Sequence, residues 1–215
     1  MDAVFQNLDL IRQGFTTTIT LTLLSAMGAL VLGTLIAAMR VSPVPPLRWT
    51  GGFYVQVVRN TPLTVVFFFF VFGLPEVGIV VGFYPFAVMA LTVYTASFVA
   101  EAVRSGINSV PVGQAEASRS VGMTFTQTLG VIVLPQALRS VIPPLASVFI
   151  ALLKNTSIAF AFGVFEGTSA SNVLINRFGS QVLQILLITA LVYLALALLM
   201  SAAFGWLERA VAITR

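Results

Sequence analysis

Few side chains in this sequence could do covalent or acid–base chemistry. It contains no cysteine and no histidine, which excludes thiolate chemistry, the Ser-His-Asp triad and HExxH metal sites. Its single lysine, Lys154, does not follow a glycine, so the chain lacks the Gly-Lys pair of an ATP-binding P-loop. Lys154 and Ser157 share one helical face and are the one nucleophile–base pair that remains, so a Ser-Lys enzyme is retained as an alternative.

The unusually apolar composition of the chain indicates which secondary-structure elements position these residues. Of the 215 residues, 58% are hydrophobic and 8% are charged, whereas soluble domains carry about 25% charged residues. A soluble fold of this size could not cover so much apolar surface. We therefore predict an all-α polytopic membrane protein. The net charge of +4 is interpreted as an orientation signal and not as a nucleic-acid-binding patch.

The apolar runs predict five transmembrane helices in a single domain covering residues 1–215. The predicted spans are 15–39, 52–74, 82–103, 141–162 and 181–206. A long cytoplasmic segment, 104–139, separates the third span from the fourth, and 163–179 is predicted to be a loop. The first run is too long for the apolar region of a signal peptide and is interpreted as a retained helix.

The arginines predict the orientation of these spans. With the N-terminus outside and the C-terminus cytoplasmic, eight arginines fall on the cytoplasmic side and two, Arg12 and Arg177, fall outside. The positive-inside rule favours that arrangement.

Lys154 stands within a predicted span, where a charge costs roughly 2.5–3.5 kcal/mol and usually faces a cavity or a partner. With Asn155, Thr156 and Ser157 it supplies donors suited to an α-carboxylate. Two interpretations stay open: contact with a translocated solute, or an ion pair with Glu101 or Glu166.

Three further polar residues, Arg59, Thr61 and Glu101, lie within predicted spans. Arg59 and Thr61 precede Pro62, which could bend the second span near a pathway, although Arg59 could equally be a positive-inside anchor. Glu101 is expected to pair with Arg104, three residues further along the same helical face.

The segment 111–135 carries the most specific pattern. Periodicity alone is typical of an ordinary amphipathic loop helix. However, the segment reads Glu116-Ala117-Ser118, three intervening residues, Gly122, nine intervening residues and Ile132-Val133-Leu134-Pro135. This pattern resembles the EAA loop of ABC importer permeases. The one departure is Ser118, which stands where that family has a second alanine.

The resemblance extends over most of the chain. The matching segments are Arg59-Asn60-Thr61-Pro62-Leu63, Tyr94-Thr95-Ala96, Ala100-Glu101 with Arg104-Ser105-Gly106-Ile107, Leu134-Pro135-Gln136-Ala137 and Leu153-Lys154-Asn155-Thr156-Ser157. They resemble the permeases that move histidine, arginine, glutamine and glutamate, and look most like actinobacterial glutamate permeases.

This resemblance implies a type I ABC importer permease fold in a bacterial plasma membrane. It implies coupling to an ATPase through Gly113, Glu116, Ala117, Ser118, Arg119 and Gly122. It also implies a substrate pathway that includes Lys154, Asn155, Thr156, Ser157, Arg59, Thr61 and Glu101.

The implied partners are an ATP-binding subunit dimer, a second permease forming a heterodimer, an extracytoplasmic binding protein and the lipid membrane, with no nucleic acid. This chain itself would bind no cofactor or metal, since ATP and magnesium would lie on the ATPase subunits. The alternative class is a passive channel or secondary transporter for small polar solutes.

Overall fold

The computed structural model describes residues 6–211, which fold into helices without a strand. We number the helices α1 to α8 in chain order. Their bounds are α1 Leu8–Val41, α2 Pro45–Asn60, α3 Leu63–Glu76, α4 Phe83–Asn108, α5 Val112–Ser120, α6 Phe125–Phe162, α7 Gly167–Arg177 and α8 Val182–Val211. A π-helical turn interrupts α3 at Phe69–Gly73 and α6 at Thr128–Val133, and α6 tightens to 3₁₀ geometry at Thr156–Phe162.

Four of the described helices, α1, α4, α6 and α8, are each long and apolar enough to cross a bilayer. A fifth crossing comes from α2 and α3 together, which are joined by a bend of 106°. The all-helical, polytopic class expected from composition is thereby confirmed.

The contacts between helices fix the direction of each pass. Helices α1 and α4 run parallel, because Thr20 meets Tyr84 near their starts and Arg40 meets Glu101 near their ends. The chain between them must therefore return along the bundle, and α3 carries this return. Gly106 packs on Val141 at one end of α4 and Gly163 on Phe83 at the other, so α6 runs antiparallel to α4.

The last pass completes the alternation. Phe149 of α6 stacks on Phe204 of α8 with ring centroids 5.9 Å apart, and Leu153 and Met200 line one crevice, so these two helices are antiparallel. Five alternating passes place the start of α1 and the end of α8 at opposite ends of the bundle, which we call the α7 end and the α5 end after the short helices that lie there.

Small residues hold the centre of the bundle together. A Cβ on Gly33 of α1 would lie 2.8 Å from the carbonyl oxygen of Ala96 and 2.6 Å from Cβ of Val99 in α4. Buried alanines continue this contact along both helices: Ala29, Ala37, Ala87, Ala90, Ala96 and Ala100. Such residues let two helix backbones approach closely within a membrane, where packing replaces the hydrophobic effect as the driving force.

The second pass differs from the continuous helix predicted over 52–74. Helix α2 already begins at Pro45, and the chain leaves helical geometry at Thr61 and Pro62, with ψ values of 133° and 138°. Proline lacks an amide donor and disfavours helix at the preceding residue, so the helix ends there. Leu63, Phe67 and Val71 then form the buried face of α3 at intervals of four residues.

Other predicted boundaries also move. The fourth predicted span, 141–162, is the second part of α6, which already begins at Phe125. Pro143 and Pro144 therefore lie inside the helix and not in its first turn. The expected loop at 163–179 is wrong as well, because it contains α7. The predicted cytoplasmic segment 104–139 holds the last turn of α4, the whole of α5 and the first turns of α6.

Candidate functional site

Helix α5 is a short helix closed by a Schellman motif. The amide of Met123 donates to the carbonyl of Ser118 (3.1 Å) and that of Gly122 donates to Arg119 (3.0 Å). Gly122 has φ of +88°, a conformation that residues with a Cβ rarely adopt. A Cβ there would meet no atom within 4 Å in this chain, so the backbone angle, and not a close contact within the chain, explains the glycine. Thr124 and Gln127 then form a capping box that starts α6.

The residues predicted to couple α5 to an ATPase divide into two groups. Gly113, Glu116, Ala117 and Arg119 are exposed. Ser118 is buried, and its hydroxyl lies 2.9 Å from that of Thr128 in α6 while also donating to the carbonyl of Ala115. Ser118 therefore does not contribute to the exposed surface of α5; its side chain fastens α5 to α6.

The surface around α5 is more apolar than the motif alone indicated. Val112, Val121 and Phe125 flank the helix with 72%, 79% and 73% of their surface exposed. Large exposed apolar side chains grouped around a charged helix are typical of a protein-binding surface. We call Val112, Glu116, Arg119, Val121 and Phe125 the α5 surface.

A cluster of four charges lies nearby, at the same end of the bundle. Glu101 of α4 accepts from Arg40 of α1 and from Arg104, each at 2.5 Å, which confirms the expected pairing with Arg104. Arg59, at the end of α2, approaches the same carboxylate at 3.5 Å. We call these four residues the Glu101 cluster. Sequence reasoning missed Arg40 as a member, since 61 residues separate it from Glu101.

Two cavities meet beside this cluster. The first, of about 400 Å³, is lined by Arg40, Gln56, Arg59, Asn60, Phe98 and Glu101, and we call it the Arg59 cavity. The second, of about 310 Å³, is lined by Tyr94, Thr95, Phe98, Ser147, Ala151 and Asn155, and we call it the Asn155 cavity. Phe98 contributes to both. Three predicted pathway residues, Arg59, Glu101 and Asn155, thus line two neighbouring cavities that share Phe98, and we call this pair of cavities the track along α4.

The other predicted pathway residues do not line that track. Thr156 is fully buried and donates to the carbonyl of Leu153. Thr61 donates to the carbonyl of Val57 and lines a separate apolar crevice. Lys154 is exposed on the outside of the bundle.

Two alternatives for Lys154 lose support. Among the described residues the ion-pair partners of Glu101 are arginines, and Glu166 is held by hydroxyl and amide donors. Lys154 therefore forms neither of the two ion pairs that the sequence left open as an alternative. Ser157 donates to the main-chain carbonyl of Lys154 at 2.8 Å. Because its hydroxyl is engaged with the backbone, the arrangement of a Ser-Lys nucleophile pair is not formed.

The α7 end holds a polar cluster that sequence reasoning missed. Glu166 is fully buried and caps α7, accepting from the amides of Thr168 and Ser169 at 3.0 Å and from the hydroxyl of Tyr193 at 2.7 Å. Burial raises the pKa of Glu166 above its usual range, while the bonds it accepts oppose that rise. Thr18 of α1 accepts from the amide of Gly167. These bonds join α1, α7 and α8.

Five alternating helical passes, a polar track beside the third pass and an exposed helix at one end define a polytopic membrane permease. The chain belongs to the family described as binding-protein-dependent transport system inner membrane component, which matches residues 29–213. It is an amino-acid permease of the ABC importer class and a multi-pass protein of the bacterial inner membrane.

Curated relatives share nearly the whole chain. The probable glutamine ABC transporter permease protein GlnM of Bacillus subtilis is 39% identical over 208 residues, 96% of this chain and 95% of that protein. The glutamate transport system permease protein GluC of Corynebacterium glutamicum is 40% identical over 213 residues, 94% of this chain and 93% of that one.

Solved structures agree with this assignment. The crystal structure of an amino acid ABC transporter with histidines contains a chain that aligns with a TM-score of 0.89 at 29% identity, over 96% of both chains. The MetNI methionine ABC transporter in an inward-facing conformation has the same fold, with a TM-score of 0.76 at 23% identity over 96% of this chain.

Proposed function

We propose that this chain is the translocating subunit of an ATP-driven importer that carries a polar amino acid, with glutamate as the substrate, into the cell. The observation that carries this proposal is the pairing of two features at one end of the bundle. An exposed helix fastened to a long spanning helix lies at the same end of the bundle as the Arg59 cavity, which is lined mainly by charged and polar side chains and adjoins the more apolar Asn155 cavity.

The α5 surface is the proposed docking site for an ATPase subunit. Glu116 and Arg119 offer charges of both signs, and Val121 and Phe125 offer exposed apolar surface next to them in the chain. A partner that docks here would move α5, and the Ser118–Thr128 bond would pass that movement to α6. ATP and magnesium would bind to the partner, while this chain supplies the coupling element.

The track along α4 is the proposed substrate path. Asn155, Arg59 and Glu101 present amide, guanidinium and carboxylate groups to its two cavities. Five passes are too few to enclose a path alone, so a second permease, paired as a homologous heterodimer, would close the open side. Lys154, exposed on the outside of the bundle, would then face that partner or the path it completes, with Ser157 beside it.

The orientation follows from charge. The Glu101 cluster and the α5 surface lie at one end, and the positive-inside rule assigns this arginine-rich end to the cytoplasm. The N-terminus then lies outside. An extracytoplasmic binding protein would deliver the amino acid at the α7 end.

The relatives carry both names, glutamine for GlnM and glutamate for GluC. Their names do not choose between the two substrates, and glutamate is proposed on two other grounds. The motifs look most like the actinobacterial glutamate permeases, and the track contains more cationic than anionic groups.

The test is purification of the chain from its native membrane in mild detergent, identification of co-purifying proteins by mass spectrometry, and reconstitution of the complex into vesicles. We expect an ATPase, a second permease and uptake of labelled glutamate that requires ATP. In Glu116→Ala, uptake and substrate-stimulated ATP hydrolysis should fall together, whereas Glu208→Ala, an exposed acid on α8, should be neutral. Uptake that proceeds without ATP would favour the passive channel or secondary transporter instead.

A further inference from the structure

We propose that the first half of α2 binds an anionic phospholipid of the inner leaflet, with Arg48 at the phosphate and Trp49 and Phe53 at the boundary between headgroups and acyl chains. These three residues line neither cavity of the track. The inference goes beyond the proposed function and uses one element of it, the assignment of the α5 end to the cytoplasmic side.

Two contacts between α1 and α4 mark the thickness of the bilayer. Thr20 meets Tyr84 at one level, and Arg40 meets Glu101 at the other. Helix α1 rises about 30 Å between Thr20 and Arg40, which matches the thickness of the hydrocarbon core, about 30 Å. The Arg40–Glu101 pair therefore lies at the inner boundary of the hydrocarbon.

Helix α2 lies along this boundary. A Cβ on Gly51 would lie 2.9 Å from Cγ of Arg40 and 3.2 Å from Cβ of Met39, so α2 packs closely on the last turns of α1. Val55, one turn further on, continues this buried face. The bend of 106° turns α2 nearly at right angles to α3. Helix α2 therefore runs along the inner face of the membrane, while α3 makes most of the crossing.

The side of α2 that faces away from the bundle is aromatic and cationic. Trp49 and Phe53 lie opposite Gly51 on the helix, with 74% and 70% of their surface exposed. Arg48, which is also exposed, precedes Trp49. Exposed aromatic side chains beside an arginine are typical of a helix that lies in the membrane interface, where the rings reach the acyl chains and the arginine stays among the headgroups.

The other tryptophan of the chain favours lipid over a protein partner as the occupant. Trp206 lies at the α5 end of α8 with 67% of its surface exposed, and Arg209 follows within one turn. Helix α2 packs on α1 and α4, whereas α8 packs on α6. Two separate helices thus carry an exposed tryptophan and an arginine at the same end of the bundle. A bilayer surrounds the bundle and accounts for both pairs with a single boundary.

The charge around Arg48 favours an anionic lipid over a neutral one. The sequence contains no Asp or Glu between Asp9 and Glu76, and among the described residues no acid forms an ion pair with Arg48. Its guanidinium is available to donate two parallel N–H bonds to a phosphate. The ammonium of a zwitterionic headgroup offsets this attraction, whereas phosphatidylglycerol carries no such group.

The first experiment uses the complex of permeases and ATPase in phosphatidylcholine vesicles. Each sample contains a small fraction of either phosphatidylglycerol or phosphatidylcholine with a photoactivatable diazirine near the headgroup, and labelled residues are located by mass spectrometry after illumination. We expect residues 45–53 to be labelled about fivefold more by phosphatidylglycerol, which corresponds to about 1 kcal/mol for one arginine at an anionic surface.

Variants show whether Arg48 causes this preference. Arg48→Gln should bring the ratio of the two labels on α2 close to one, and Arg48→Lys should keep most of the preference through its charge. Arg177→Gln changes an exposed arginine at the α7 end and should leave the ratio on α2 unchanged.

The second experiment measures the depth of Trp49 in the bilayer. Tryptophan fluorescence is recorded in vesicles whose phospholipids carry bromine at shallow or deep acyl positions, and the contribution of Trp49 is the signal that is lost in Trp49→Phe. We expect shallow bromines to quench this contribution more than deep ones, and iodide in solution to quench it little. Trp206→Phe gives the matched measurement for the other tryptophan.

Several outcomes would overturn the lipid site while leaving the importer intact. Equal labelling by the two lipids, or an unchanged ratio in Arg48→Gln, would mean that Arg48 selects no anion. Quenching of Trp49 by iodide alone would place this face of α2 in water, and quenching by neither reagent would mean that a protein partner covers it. By contrast, a wild-type complex without ATP-dependent uptake would overturn the proposed function and leave the labelling and quenching results as they are.

Discussion

The guanidinium of Arg40 lies 2.5 Å from the carboxylate of Glu101, and this pair joins the last turns of α1 and α4. Arg104 binds the other oxygen of the same carboxylate. One acid therefore neutralises arginines from two helices that are far apart in the sequence, at the edge of the Arg59 cavity.

Glu101→Gln should therefore destabilise the permease. The amide keeps the shape of the side chain but removes its charge, which leaves three guanidinium groups facing one another. We expect a loss of about 1.5–3 kcal/mol, typical for hydrogen bonds to a charged group, seen as a lower thermal unfolding midpoint in detergent. Glu76→Gln, an exposed acid at the other end, should change the midpoint little. Equal midpoints for both variants would mean that the cluster contributes nothing to folding.

Glu166→Ala should have a larger effect at the α7 end. It would leave the amides of Thr168 and Ser169 and the hydroxyl of Tyr193 without their acceptor. Unsatisfied buried donors cost about 1–3 kcal/mol each, so the unfolding midpoint should fall markedly. Glu166→Gln keeps one acceptor oxygen and should lie between the wild type and Glu166→Ala, with Glu208→Ala as the neutral control. The opposite order of the two Glu166 variants would contradict the capping role.

Gly122→Ala and Gly113→Ala should act in opposite directions. Gly122 has a φ of +88°, and an alanine there would pay about 1–2 kcal/mol for left-handed geometry. Gly113 lies within α5, where a Cβ meets no atom within 4 Å, and alanine should stabilise the helix by about 0.5–1 kcal/mol. Amide hydrogen exchange of residues 112–120 measures both effects. Slower exchange in Gly122→Ala would contradict the Schellman geometry.

A double-mutant cycle should detect the contact between Ser118 and Thr128. We expect a coupling of about 0.5–1.5 kcal/mol between Ser118→Ala and Thr128→Val, because each single change removes the hydrogen bond between the two buried hydroxyls. Unfolding midpoints of the four proteins give this value. As a control, Ser120→Ala, exposed on the same helix, should show additive effects with Thr128→Val.

The sequence predicted the class of fold because hydropathy reports the bilayer directly. It predicted the Glu101–Arg104 pair because that pair is local and joins residues three positions apart on one helix. It also predicted that Pro62 could bend the second pass, although the extent of the bend depends on how α2 packs on α1 and α4.

What could not be predicted depends on long-range packing or on weak local signals. The pairing of Arg40 with Glu101 follows from the parallel packing of α1 on α4, which glycines such as Gly33 permit and no periodicity encodes. Helix α7 is short and polar, and its cap is a glutamate, which is not among the preferred capping residues, so the stretch resembles a loop. The burial of the Ser118 side chain could not be predicted either, because it depends on which face of α5 packs against α6.

The length of α6 has a mechanical consequence. Its 38 residues span roughly 57 Å without a break in the chain of helical turns, from the segment beside α5 to the 3₁₀ turns that pack on α3. If α5 docks on an ATPase as proposed, a movement of α5 would be carried along α6 towards Phe162, which stacks on Phe67 of α3. The π-helical turn at Thr128–Val133 and the prolines at 143 and 144 interrupt the regular hydrogen bonding of α6 between these two ends. Under that proposal, these interruptions would limit how much of a displacement at one end of α6 reaches the other.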